Sequence, residues 1–227
     1  MNNSKIIEKI KPIIKKTWFK TPYIKNKQKS YIEYVQSRYD YSNKPSIICS
    51  NCIGGIIYHN LGMPFLSPTI NLWMPTSDFI KFIRNIREYV EEDLVLVSTE
   101  KGYPIVSLKD IIIHFNHYKT FKEAKEKWNE RKKRIDYDNL YIIMGDNGLN
   151  YEEIKQLKGV QCKRLIVFTA KDYSEFDYTF QLKRYKNFDY VGLFALRDID
   201  GFREFEKAFD YVAWINGESK YRNMFEM

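Results

Sequence analysis

Residues 140–148 read LYIIMGDNG. Leu140–Met144 is apolar without alternation, so a strand here must be covered on both faces, as in a parallel or mixed sheet. The run stops at Gly145-Asp146-Asn147-Gly148, a turn signal. Asn150 with Glu153 then has the spacing that caps a short helix. Two further stretches share the strand's character: SIIC at 46–49 and LIVF at 165–168. Helical periodicity separates them. Phe79, Phe82, Ile83, Ile86 and Val90 form one stripe over 78–92, and Thr120-Phe121-Lys122-Glu123 opens a long helix to about Arg134. Strands alternating with helices give an α/β class: a layered, mixed or mainly parallel sheet flanked by helices, with a basic N-terminal helical appendage. The boundaries read as an appendage over 1–40 and one α/β domain over 41–227.

The remaining segments are read from the same signals. Residues 94–97 and 110–118 are expected as strands, 178–182 and 189–195 as strands near a sheet edge, and 202–215 as a closing helix. Gly62, Pro64, Pro68 and Pro75 make 62–76 an irregular loop. Residues 20–30 read as a linker, followed by a short helix over 31–39. Ile112, Ile142, Ile143 and Ile166 are expected at the centre of the core.

Charge is unevenly placed along the 227 residues, which carry +8 formally. Residues 1–40 hold ten basic groups and three acidic ones, 10 − 3 = +7, so 41–227 carries 8 − 7 = +1. A nearly neutral body makes nucleic acid an unlikely partner, since such proteins carry basic charge on the folded surface. Ile7, Ile10, Ile14 and Trp18 recur at helical spacing beside lysines over 4–19, interrupted by Pro12. That pattern fits peripheral contact with a membrane surface through residues 1–20, or plain packing on the body. No apolar run approaches the length of a membrane span, and the N-terminus lacks the features of a signal peptide. Three cysteines, an odd number, argue against a secreted disulfide scaffold. A cytoplasmic location follows, with membrane association as its extension.

The candidate chemistry gathers at predicted strand ends. Ser50-Asn51-Cys52-Ile53-Gly54-Gly55 follows the strand 46–49 and precedes a helix. Ser50, Asn51, Gly54 and Gly55 there suit ligand binding, because a glycine-rich backbone can approach a phosphate at a helix N-terminus; a tight turn without ligand is the alternative. Cys52 is a candidate nucleophile, whereas Cys49 belongs to the apolar strand. His114 and His117 fall in one predicted strand, three positions apart and therefore on opposite faces. His117, nearer the strand's end, is the candidate acid/base group. His59 lies close enough in sequence to join the same ligand-binding cleft. Asp146 can orient a hydroxyl or hold a divalent metal carrying a nucleotide-sugar; a turn aspartate is its other reading. Cys52, Gly54, His117 and Asp146 are expected to line one cleft at the C-terminal edge of the sheet.

Several segments taken together resemble a bacterial family of unknown function, domain of unknown function nineteen-nineteen. They are SNCIGGIIYHNLGMPFLSPT (50–69), the helix over 78–86, YPIVSLKDIIIHFNHYKTFKEAKEKWNERKKRI (103–135) and DNLYIIMGDNG (138–148). The resemblance covers about residues 44–215. Where the family carries an Asp-Arg-Asp-Gly-like segment, this chain has Gly145-Asp146-Asn147-Gly148 and departs at Asn147, which removes one carboxylate from any two-carboxylate metal site. Members are often labelled exopolysaccharide or capsule biosynthesis proteins. The resemblance implies a place in polysaccharide synthesis and carries no reaction; with the candidate residues above, the expected function is a transferase, glycosyltransferase-like or related, acting on a nucleotide-activated sugar or polysaccharide precursor. The alternative is a non-catalytic accessory protein that binds a glycan precursor during polysaccharide assembly.

Overall fold

The structure, a computed structural model, describes residues 21–219 and Tyr221. The amphipathic pattern over 4–19 lies outside the described residues. Two compact units divide the chain: Tyr41–Gly192, and a second that joins the chain before Tyr41 to the chain from Leu193 onward.

The larger unit holds two sheets. The first is parallel, with strand order β1-β5-β6-β7: β1 Ser46–Cys49, β5 Leu140–Gly145, β6 Arg164–Thr169 and β7 Thr179–Gln181. Ile48 pairs with Ile142, and Ile142 with Leu165. Every residue of β1 and β5 is buried, which is why both lack alternation. The second sheet is an antiparallel meander of β2 Val95–Ser98, β3 Ile105–Leu108 and β4 Ile111–His114. The mixed α/β architecture flanked by helices is thus the one expected, with the antiparallel strands collected into a sheet of their own.

The helices of this unit are α2 Ile53–Asn60, α3 Thr76–Arg84, α4 Ile86–Glu91, α5 Phe121–Lys132 and α6 Tyr151–Gln156. The expected helix over 78–92 breaks at Asn85, whose backbone leaves helical values (φ −135°, ψ 40°). Its apolar stripe nevertheless stays buried, through Phe79, Phe82, Ile83, Ile86 and Val90. Both capping signals operate. The Thr120 hydroxyl accepts the Glu123 N–H at 3.2 Å. Asn150 and Glu153 exchange side-chain and backbone bonds at 3.0 and 2.8 Å. One core joins both sheets to the helices, including Phe82, Trp128, Phe115, Ile142, Met144 and Val167.

Several expectations are corrected. The strand expected over 110–118 stops at His114. It is preceded by β3, which the sequence reading lacks, across a turn at Lys109-Asp110. Lys109 sits at φ 56°, a left-handed value without the glycine or asparagine that usually announces it. Tyr89 Oη and Lys81 Nζ donate to Asp110 at 2.7 and 2.9 Å and hold its carboxyl down at about 2. Residues 189–195 form turns rather than a strand, because Val191 is drawn to a carboxylate described below. Ile112 is half-buried, while its neighbours Ile111 and Ile113 are buried.

In the smaller unit, the expected linker is helical from Pro22: α1 runs Pro22–Arg38 without interruption, and the short helix expected over 31–39 is its second half. Pro22 occupies the first helical turn, where its missing N–H costs nothing, and the Thr21 hydroxyl accepts the Ile24 N–H at 3.4 Å. The closing helix is split into α7 Glu204–Ala208 and α8 Tyr211–Asn216, because Asp210 caps a new helix through the Ala213 N–H at 3.0 Å. Arg38 Nη2 donates to Asp210 at 2.6 Å and Gln28 Nε2 to the Gly201 carbonyl at 2.8 Å. No helix among the described residues is long and apolar enough to cross a membrane.

Burial separates the isoleucines in a measurable way. Ile142→Ala or Ile166→Ala removes a fully buried side chain from the parallel sheet and should cost about 2–5 kcal/mol in denaturant unfolding. Ile112→Ala should cost clearly less. Equal losses at all three positions would contradict this packing.

Candidate functional site

The turn after β1 is built by four side chains that hold α2 against the strand. Tyr58 Oη accepts the Ile47 N–H at 2.7 Å and donates to the Pro45 carbonyl at 2.8 Å, both in the interior. Thr69 Oγ1 accepts the Cys49 N–H at 3.0 Å and exchanges a bond with Ser67 Oγ at 3.0 Å. Asn51 Oδ1 accepts both the Cys49 thiol at 3.2 Å and the Ile53 N–H at 2.9 Å, so it caps the helix start. Gly54 permits the approach: a Cβ there would stand 3.2 Å from Cys49 Cβ and 3.4 Å from Ile47 Cγ2. Gly54 and Gly55 are both buried, so both glycines serve close packing; Gly55 lies against Ile70 and Asn71.

This construction brings Cys52 to the N-cap of α2, only partly buried. The other half of the site comes from the turn after β4. Phe115 N donates to the Pro104 carbonyl and Tyr118 N to the Phe115 carbonyl, each at 2.9 Å. Phe115 and Tyr118 are buried anchors, meeting edge to face at 5.3 Å. Tyr118 Oη donates to the Ile70 carbonyl at 2.9 Å and accepts from Arg131 at 2.6 Å. Between these anchors, Asn116 and His117 are exposed. His117 Nε2 lies 3.3 Å from Cys52 Sγ. The strand alternation expected to separate His114 from His117 does not apply, because only His114 is in the strand.

The two other thiols meet oxygens, Cys49 that of Asn51 and Cys162 the Val160 carbonyl. Burial pushes Cys49 up to about 12, and Cys162 up to about 11. His114 stacks on Trp73 at 3.9 Å, and its Nδ1 is buried with no hydrogen-bond partner among the described residues. Burial, with Lys101 adding to it, lowers its pKa and favours the neutral ring. Ser50 Oγ is likewise buried without a partner among the described residues, directly before the Cys52 turn. A buried hydroxyl in that position invites a water or a ligand group. His59 is exposed on the last turn of α2, about 10 Å along the helix from Cys52.

Asp146 stands at the same C-terminal edge, after β5, and its carboxylate is fully engaged. Oδ2 accepts the Ala170 N–H at 2.8 Å and Oδ1 the Val191 N–H at 2.9 Å. Its own N–H donates to the Phe168 carbonyl at 2.8 Å. Burial raises its pKa, opposed by the Ala170 and Val191 amides. This is a carboxylate that organises backbone. Among the described residues no three His, Cys, Asp or Glu side chains group as metal ligands. Both amide partners, Ala170 and Val191, are invisible to motif reading because neither side chain carries the contact.

A groove of about 690 Å³ lies elsewhere, lined by Arg84, Arg87, Tyr137, Asp138, Cys162 and Lys163 among others. Leu140 and Lys163 place it at the N-terminal ends of β5 and β6, the edge opposite Cys52. None of the expected site residues lines it.

Comparison with known proteins agrees with this body. A family model described as "Domain of unknown function (DUF1919)" matches residues 23–216. A protein of Haemophilus influenzae, named "Uncharacterized protein", is 34% identical over 195 residues, which span 85% of this chain and 94% of that relative.

The Asp146 geometry has a direct consequence for stability. Asp146→Ala strands two N–H groups, and each should cost about 1–3 kcal/mol in equilibrium unfolding. A total loss below about 1 kcal/mol would show that the carboxylate does not hold the edge together.

Proposed function

Since this chain belongs to the family of domain of unknown function DUF1919, we propose that it is a transferase of surface-polysaccharide synthesis that works through Cys52. The observation that carries the reading is the 3.3 Å approach of His117 Nε2 to Cys52 Sγ. A thiol within reach of an imidazole is the arrangement of an activated sulfur nucleophile. Its place, on the turn beyond a parallel strand, is where open α/β sheets hold ligands.

A thiol nucleophile suits an acyl donor, with which it forms a thioester. Asp146 holds two backbone amides at this edge, which suits it to a structural part rather than a catalytic one. In the proposed reaction, His117 takes the thiol proton and the sulfur attacks the donor's acyl carbon. The donor's leaving group departs with its bonding pair and the proton from His117. A hydroxyl of a glycan precursor then attacks the thioester while His117 removes its proton. The S–C bond breaks, and the proton returns to the sulfur.

Intact-mass spectrometry of the protein incubated with p-nitrophenyl acetate tests this. Wild-type protein should gain one acyl group, mapped to Cys52. Cys52→Ser should gain none there, and His117→Gln should acylate about a hundredfold more slowly. Acylation of Cys162 alone, or none, would favour the accessory reading, in which the Cys52–His117 contact is packing.

A further inference from the structure

The segment after β7 is tied down at both ends and bare in the middle. Leu182 and Val191 are fully buried. Leu182 N donates to the Thr169 carbonyl at 2.9 Å, and Val191 N to Asp146 Oδ1 at 2.9 Å. Between them a 3₁₀ turn, Lys183–Tyr185, is closed by Tyr185 N to the Leu182 carbonyl at 2.8 Å. A second turn follows, with Phe188 N donating to the Tyr185 carbonyl at 2.8 Å. Tyr185 and Phe188 meet edge to face at 5.9 Å. This bonded loop nevertheless leaves Phe188 45% and Tyr190 50% exposed. Lys183, Arg184 and Lys186 beside them are exposed as well, and neither lysine pairs with a carboxylate among the described residues.

The loop is also net basic. Residues 183–190 carry three basic groups and Asp189, 3 − 1 = +2. Residues 41–227 carry +1 in total, so the rest of that stretch sums to 1 − 2 = −1. The rest of the body is thus close to neutral in sum. Two outward aromatic rings flanked by lysines suit the boundary between headgroups and acyl chains, where rings insert and lysines meet acidic lipid. A single-stranded nucleic acid would need a basic groove several nucleotides long, which one loop on a neutral body does not supply.

We infer that Lys183–Tyr190 is a docking loop for an anionic phospholipid surface. It stands on the C-terminal edge of the parallel sheet, as Cys52 does, with β1 and β7 at the two ends of the strand order. Docking would turn that edge, and the thiol on it, toward lipid-borne substrates. The inference stands on the loop alone and holds whether or not Cys52 is a nucleophile.

Co-sedimentation of the full chain with vesicles tests it, using phosphatidylcholine alone and phosphatidylcholine mixed with phosphatidylglycerol. Wild-type protein should favour the anionic vesicles. The double variant Lys183→Gln/Lys186→Gln should lose about thirtyfold in partitioning, from about one headgroup interaction per lysine. Phe188→Ser/Tyr190→Ser should lose about tenfold or more. Because residues 1–40 are unchanged in both variants, their charge cannot produce the difference. Variants that bind as wild type, equal binding to both vesicles, or binding only to a labelled oligonucleotide would overturn the inference.

Discussion

Parallel pairing of β1 with β5, and of β5 with β6, constrains the rest of the larger unit. Parallel strands all end on one edge, so the chain must leave β1, β5, β6 and β7 on the same side. Each exit exposes backbone groups that need partners. Asp146 supplies them for two exits at once, accepting from Ala170 after β6 and from Val191 after β7. Thr69 and Asn51 do the same around β1. The C-terminal edge is thus a set of loops fastened by buried polar side chains, and the candidate chemistry sits on the loops so fastened.

The second sheet completes the site from a different direction. Its hairpin is pinned at the tip by Asp110, held by Tyr89 and Lys81. Its far end bridges Trp73 to His114, with reciprocal backbone bonds at 3.0 and 2.9 Å. Beyond that bridge the chain turns through Phe115 and Tyr118, and only then does His117 reach the thiol. Placement of the imidazole therefore depends on contacts several residues away, chiefly Tyr118 to Ile70 and Arg131.

Much of the parallel sheet was legible because burial on both faces writes itself as an unbroken apolar run. β1, β5 and β6 match their expected positions to within a residue or two, and both helix caps follow from side chains at fixed spacing. The meander was less legible. β3 and β4 are joined by Lys109 in a left-handed conformation that no glycine marks, so β3 went unread and the strand after it was drawn four residues too long. The sequence placed Cys52 and His117 at strand ends, but their approach is made by long-range packing. The partners of Asp146 are backbone amides, which sequence does not name. The first half of the helix at 22–38 was hidden by lysines and Pro22, though proline at a first helical turn favours a helix.

The central claim is that Cys52 and His117 act as one unit. It is tested most directly by the rate at which iodoacetamide alkylates each cysteine at neutral pH, followed by peptide mass spectrometry in wild-type protein and in His117→Gln. The account predicts that Cys52 reacts first, ahead of Cys49 and Cys162, and that the substitution slows Cys52 by about tenfold or more while leaving Cys162 unchanged. An unchanged Cys52 rate in the variant would contradict it.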